Sequence, residues 1–220
     1  MKTNWLLLPV LGASFVPPLC AQNSTAVVPV VKNAPFTAQE WTTVSRQQPD
    51  GTTLSVYHRA DIARDSAGAT RRLGYAPTSS DTSQVQQNRT LVSIHKPDAK
   101  VGAAYDAVTN QHVLKVSPHK QLRTLAVLPG AVVPGSEQTQ SLGDETVNGL
   151  STTKTRRTYS YRSRRQPDGV PIAVTEDTWY SQDLVFVVKK VVHDSSGTTR
   201  EMELRSIVRA EPDASLFIVP

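Results

Sequence analysis

The chain has 220 residues, 38% hydrophobic and 20% charged, an ordinary balance for a soluble protein and enough length for one β domain with a proper core. Its formal charge of +5 is too mild to argue for nucleic acid. A single cysteine, Cys20, excludes an intramolecular disulfide framework.

The N-terminus reads as a secretory signal peptide over residues 1–21. Lys2 supplies the charge, Trp5 to Val16 the short apolar region, and Leu19-Cys20-Ala21 a cleavage site before Gln22. The apolar run is too short to span a bilayer, and no later stretch reaches the roughly 20 apolar residues a membrane helix needs. A lipobox would place Leu three residues before the cysteine and a small residue just before it. Pro17 and Leu19 stand there instead, so ordinary cleavage is expected, without lipid anchoring at Cys20. The mature chain is then cysteine-free and periplasmic or secreted. Residues 22–35 read as a flexible leader and 36–220 as one β domain, expected to be a monomer.

Valine and threonine are frequent, and their branched Cβ favours strands. Phe36–Gln48 leads into a Pro49-Asp50-Gly51 turn. Leu54, Val56, His58, Ala60 and Ile62 then alternate with Ser55, Tyr57, Arg59 and Asp61, as in a half-buried antiparallel strand. The turn Asp65–Gly68 reverses it into Ala69–Tyr75, and Pro77–Asn88 is a polar loop. A meander follows: Leu91–Lys96, Val101–Ala107 and Gln111–Ser117, with turns at Pro97–Lys100 and Val108–Asn110.

Residues 118–140 differ from the rest. The centre, Leu125 to Gly135, is apolar and twice broken by Pro-Gly, so it reads as a cap on one face of the sheet or a mobile lid over an apolar cavity. Further strands are expected at Asp144–Leu150, Ser151–Ser163, Val170–Tyr180, Leu184–Val192 (apolar on both faces, as a central strand would be) and Thr198–Ala210. In the last, Met202, Leu204, Val208 and Ala210 oppose Glu201, Glu203, Arg205 and Arg209. No amphipathic helix follows the signal, and the chain reads as all-β.

A strand–turn module occurs twice. QPDG stands at Gln48–Gly51 and Gln166–Gly169, and DSAGATR (Asp65–Arg71) returns as DSSGTTR (Asp194–Arg200). These turns, the Trp179-Tyr180-Ser181 segment and the ending EPDASLFIVP (Glu211–Pro220) resemble a group of uncharacterised exported bacterial proteins, from Phe36 onward. More distantly, a meander closing on a D-x-S-L-F-x-x-P tail is similar to the lipoprotein-carrier fold of the LolA, LolB and RseB proteins. That resemblance implies a strongly curved antiparallel sheet, a half-open barrel around an apolar cavity. The helices that plug the carriers are not evident here, and the Leu125–Val133 loop could take their place.

No catalytic signature emerges. The histidines His58, His95, His112, His119 and His193 form no HExxH or other close ligand pair, so no metal site is expected. His58 reads as a core-edge histidine bonded to a backbone carbonyl. There is no G-x-S-x-G elbow, Walker A or Rossmann glycine pattern, and Ser66, Ser195, Asp50, Asp65, Asp168 and Asp194 are explained by turn geometry. The chain is expected to be no enzyme and to need no cofactor.

Two binding readings stand. In the first, an exported domain holds a lipid-like or apolar ligand in the curved sheet, with Leu125, Leu128 and Val132 as cover and Trp41, Trp179, Phe186 and Met202 among the wall residues. In the second, a structural or sensing module docks on another envelope protein or an anionic surface through the strand KTRRTYSYRSRR. That strand presents Lys154, Arg156, Arg157, Arg162, Arg164 and Arg165. Its bland alternative is a solvated edge strand protected by charge.

Overall fold

The computed structural model describes residues 30–77, 89–97, 101–115, 130–163 and 168–220. The expected signal peptide, Cys20, Leu125, Leu128, Arg164, Arg165 and most of the 118–140 connection lie outside these residues.

The described residues form one antiparallel sheet of twelve strands. These are β1 (Phe36–Gln47), β2 (Thr53–Arg64), β3 (Thr70–Tyr75), β4 (Arg89–Lys96), β5 (Val101–Asp106), β6 (His112–Lys115), β7 (Gly130–Val132), β8 (Gln138–Val147), β9 (Leu150–Ser163), β10 (Ile172–Ser181), β11 (Phe186–Asp194) and β12 (Thr198–Val208). The order is β6-β5-β4-β3-β2-β1-β12-β11-β10-β9, and β7 and β8 lie end to end along the outer side of β9. Ala214–Phe217 forms one 3-10 turn. The all-β reading holds.

The repeated turns are built alike. In each, the Gly N–H (Gly68, Gly197) bonds back to the Asp carbonyl, and the Asp side chain accepts from the N–H four residues on (Ala69, Thr198). Both glycines take positive φ, +90° and +81°, which a Cβ would resist.

Curvature is direct. Four strand spacings separate β2 from β10, about 19 Å on a flat sheet. Yet the Arg64 guanidinium on β2 donates to the Leu184 carbonyl in the β10–β11 turn. Likewise Asn148, in the β8–β9 turn, donates to the Leu204 carbonyl of β12 at 2.6 Å. The sheet therefore rolls up at this end over the face carrying Phe36, Ala38, Ala60, Ile62, Met202 and Leu204, which pack with Leu150, Leu184 and Val188. A second cluster (Leu73, Tyr75, Val92, Ile94, Tyr105) lies on the opposite face and is packed by Val219, while Phe217 covers Ala63 and Ala69. The C-terminal segment thus packs on the outside of the roll.

Several boundaries move. The β8–β9 reversal falls at Asn148-Gly149, both at positive φ (49° and 78°), the two-residue hairpin turn that Asn-Gly favours. Leu184 is not in a strand: the chain turns at Gln182–Val185, with Val185 N–H bonded to the Gln182 carbonyl. In β12 the alternation breaks at Ser206, whose positive φ of 51° leaves Val208 and Ala210 exposed. The expected 118–140 connection contains β7 and the start of β8, so Val132 is a strand residue packed on Tyr159 and Tyr161. The last part of the expected leader, 30–35, runs against the β2–β3 hairpin. There Asn33 N–H bonds the Ser66 carbonyl, and Arg64 bonds the Ala34 carbonyl at 2.9 Å.

Candidate functional site: the concave face

Pairing across the strands fixes which side chains share a face, because direct partners point the same way. One row on the convex face reads Arg59, Trp41, Glu203, Lys189, Trp179, Lys154 from β2 to β9. Trp41 is flanked by the guanidinium groups of Arg59 and Arg205, 5.6 and 5.4 Å from its ring centroid. Trp179 sits under Lys154 (4.5 Å) and Lys189 (5.5 Å), and its indole N–H donates to Glu145 at 2.7 Å. Each ring is held between cations over its negative faces. Met202 and Phe186 belong to the other face, where the Phe186 ring lies 5.6 Å from that of Phe36. The two tryptophans and the Phe186–Met202 pair therefore do not line one wall.

The basic strand is not an edge. β9 is bonded to β10 on one side and to β8 and β7 on the other. Its cations are matched within the sheet. Arg156 grips Asp177 through two bonds of 2.7 Å, and Arg157 grips Glu137 through two of 2.9 Å. Lys154 pairs with Glu145 at 3.2 Å, and Arg162 donates to the Gly169 carbonyl at 3.0 Å. The Arg156 bond holds the Asp177 carboxyl below its ordinary range, and the Arg157 bond does the same for Glu137.

The concave face has two zones. At the closed end lies the apolar cluster around Phe36 and Leu204, sealed by Arg64. That side chain is 3% exposed, stacks 4.9 Å over Phe36 and bonds the Ala34 and Leu184 carbonyls. Burial pushes its guanidinium down to about 10. Next come ion pairs, Arg72 with Glu40 (2.7 Å) and Lys190 with Glu176 (2.8 Å).

Toward the open end, a row reads Val56, Val44, Arg200, Val192, Glu176, Arg157. Beyond it Tyr159, Tyr161 and Val174 pack with Val132, Ile172 and Val192. Arg200 is half-buried and, among the described residues, makes no hydrogen bond or ion pair. Its charge reaches both tyrosines and His58. Burial first, then Glu176, pushes the Tyr159 phenol up against the opposing charges of Arg157 and Arg200. Burial first, then Asp194, raises Tyr161, and Arg200 opposes them. Burial, with Arg72 and then Arg200 adding, pushes the His58 imidazole down. His58 makes no hydrogen bond among the described residues, so the expected carbonyl partner is not found.

Arg200 is the residue that sequence reasoning misses. It ends the DSSGTTR turn, where its only visible role is to leave the hairpin. Its counterpart Arg71 stands at the same place in DSAGATR but falls on the opposite face, beside Ile94 and Ala63. Strand registers alone distinguish the two.

No protein-family model and no curated protein sequence matches the chain. Its architecture is similar to that of several solved structures. A LolA superfamily protein from Nitrosomonas europaea is 10% identical, with a TM-score of 0.39 over 88% of this chain and 94% of that one. The lipoprotein LppX of Mycobacterium tuberculosis is 12% identical, with a TM-score of 0.36 over 80% and 88%. A beta-barrel-like domain of unknown function from Brucella abortus is 8% identical, with a TM-score of 0.37 over 82% and 100%.

Proposed function

We propose that this chain is an exported, non-catalytic binding domain that holds a lipid-like or apolar ligand against the concave face of its sheet. The observation that carries this reading is the roll of the sheet itself. The Arg64–Leu184 and Asn148–Leu204 contacts close one end over an apolar floor. The open end keeps Val44, Val56 and Val192 only half-buried. Aliphatic side chains left on the inside of a curved sheet are the surface such a ligand covers. The docking reading rests on free cations along β9, and the carboxylate partners of Lys154, Arg156 and Arg157 weaken it.

The test is native mass spectrometry, with lipid extraction, of the mature protein purified from its own periplasm or culture medium. A stoichiometric bound lipid is the expected result. A protein that arrives empty and takes up no lipid when mixed with envelope extract would end this reading.

A further inference from the structure

We propose that Arg200 anchors the acidic group of an anionic amphiphile, so that the ligand of the concave face carries a carboxylate or phosphate at the open end and hydrocarbon toward the closed one. This rests on the ligand-binding reading above and adds the charge and direction of the ligand.

Two independent features meet here. The first is an inventory of charge. On the concave face Arg64 bonds two backbone carbonyls, Arg72 holds Glu40, Lys190 holds Glu176 and Arg157 holds Glu137, while Arg46, without a partner among the described residues, stands exposed in water at the end of β1. Arg200 is half-buried in the same surface and has no acceptor among the described residues. A guanidinium partly removed from water gains most from a planar or tetrahedral oxyanion that takes two of its donors at once. The second feature is a pair of phenols. Tyr159 and Tyr161 are 4% and 6% exposed, and neither makes a hydrogen bond among the described residues. Their rings are buried, but their hydroxyl oxygens are not among the buried atoms left without a partner, so they open onto solvent and stay available to a ligand. Both lie within electrostatic reach of Arg200. Around them Val44, Val132, Val174 and Val192 offer hydrocarbon, and the nearby carboxylates are already engaged, Glu176 by Lys190 and Asp194 by the N–H groups of its own turn. A guanidinium and two phenols that no protein group takes by a hydrogen bond, beside an apolar surface, describe a seat for an anion at the head of a chain.

The experiment measures binding of oleate, dioleoyl phosphatidic acid and oleyl alcohol to the mature protein by fluorescent-probe displacement, for the wild type and for Arg200→Gln and Arg200→Lys. The wild type is expected to prefer an acid over the alcohol by roughly tenfold to a hundredfold, the worth of a charge-assisted hydrogen bond. Arg200→Gln should abolish the preference while leaving alcohol binding and the melting temperature unchanged. Arg200→Lys should retain part of it. Whichever acid shows the larger Arg200-dependent gain identifies the anion as carboxylate or phosphate. Equal affinity for acids and alcohol, or an equal loss of all three in Arg200→Gln, would overturn the anchor and leave the apolar site standing. No binding of any of the three would overturn both.

Discussion

Arg64 on β2 and Leu184 in the β10–β11 turn, 120 residues apart, are joined by a guanidinium-to-carbonyl bond across four strand spacings. Arg64→Met removes that donor and the one to Ala34 while keeping most of the apolar bulk. The buried Leu184 carbonyl and the part-buried Ala34 carbonyl would lose this partner, at a cost of about 2–4 kcal/mol. Urea denaturation should show a lower midpoint at an unchanged slope. A loss under about 0.5 kcal/mol would mean the roll is held by packing alone.

Gly130 opens β7 where no side chain fits. A Cβ there would lie 1.7 Å from the Arg162 carbonyl oxygen and 3.0 Å from the Tyr161 ring. Gly130→Ala should therefore displace β7 from β9 and destabilise by about 1–3 kcal/mol. Hydrogen exchange at Arg162 and Ser163 should accelerate. Protection equal to wild type at both would contradict the pairing.

Val185 is a β-branched residue at φ 48° in the turn before β11. Branching at Cβ makes that conformation costly, and at 38% exposure the side chain gives up little burial. Val185→Asn should raise stability by about 1 kcal/mol. Thermal melts of the two proteins decide it, and an unchanged or lower melting temperature counts against strain here.

The two described tryptophans lie on the convex face, away from the proposed ligand. Trp41→Phe and Trp179→Phe should leave lipid affinity within about twofold, and a brominated fatty acid should quench neither ring strongly. Strong quenching of Trp179 would place the ligand on the wrong face of this sheet.

His58 gives a pH dependence. Its folded imidazole titrates below the ordinary value of 6.5, first through burial and then through Arg72 and Arg200. The unfolded chain therefore takes up the proton first as pH falls. The stability from this group is complete above about 6.5 and is lost as pH falls from there toward the folded value. Melting temperatures from pH 8 to 5 should fall less steeply in His58→Gln than in wild type. Identical slopes would remove His58 as the source.

Much of the architecture was legible in residue order. The alternation of Leu54 to Ile62 assigns a face that the β1–β2 register upholds, and the Asp-Ser-x-Gly turns are built as their chemistry demands. Asn148-Gly149 is as strong a hairpin signal as the chain contains, yet Thr, Ser and Gln on both sides mask its strands. Leu184 and Val185 read as strand by composition, and turn geometry overrides that preference. The candidate site was harder to read. That Arg156 and Arg157 meet carboxylates while Arg200 meets none depends on partners at Asp177 and Glu137, which only pairing across strands reveals. Trp41 and Trp179 mislead for the same reason: bulk marks them as wall residues, and register turns them outward.

The strand order has a consequence for how the chain reaches this form. Neighbours along the sheet are consecutive in the chain except β7 with β9, which skips only β8, and β1 with β12, which bond along nearly their whole length at the centre. The flanks, β2 to β6 and β9 to β11, can zip locally, but the central seam must wait for the last strand. Such long-range pairing is slow. A polypeptide entering an export channel end first would stay open until its final strand had crossed. Deleting β12 would not trim the sheet but divide it into two halves. Joining residue 220 to residue 36 and reopening the chain between β6 and β7 would turn the β1–β12 seam into a local pairing, and the same sheet should fold faster.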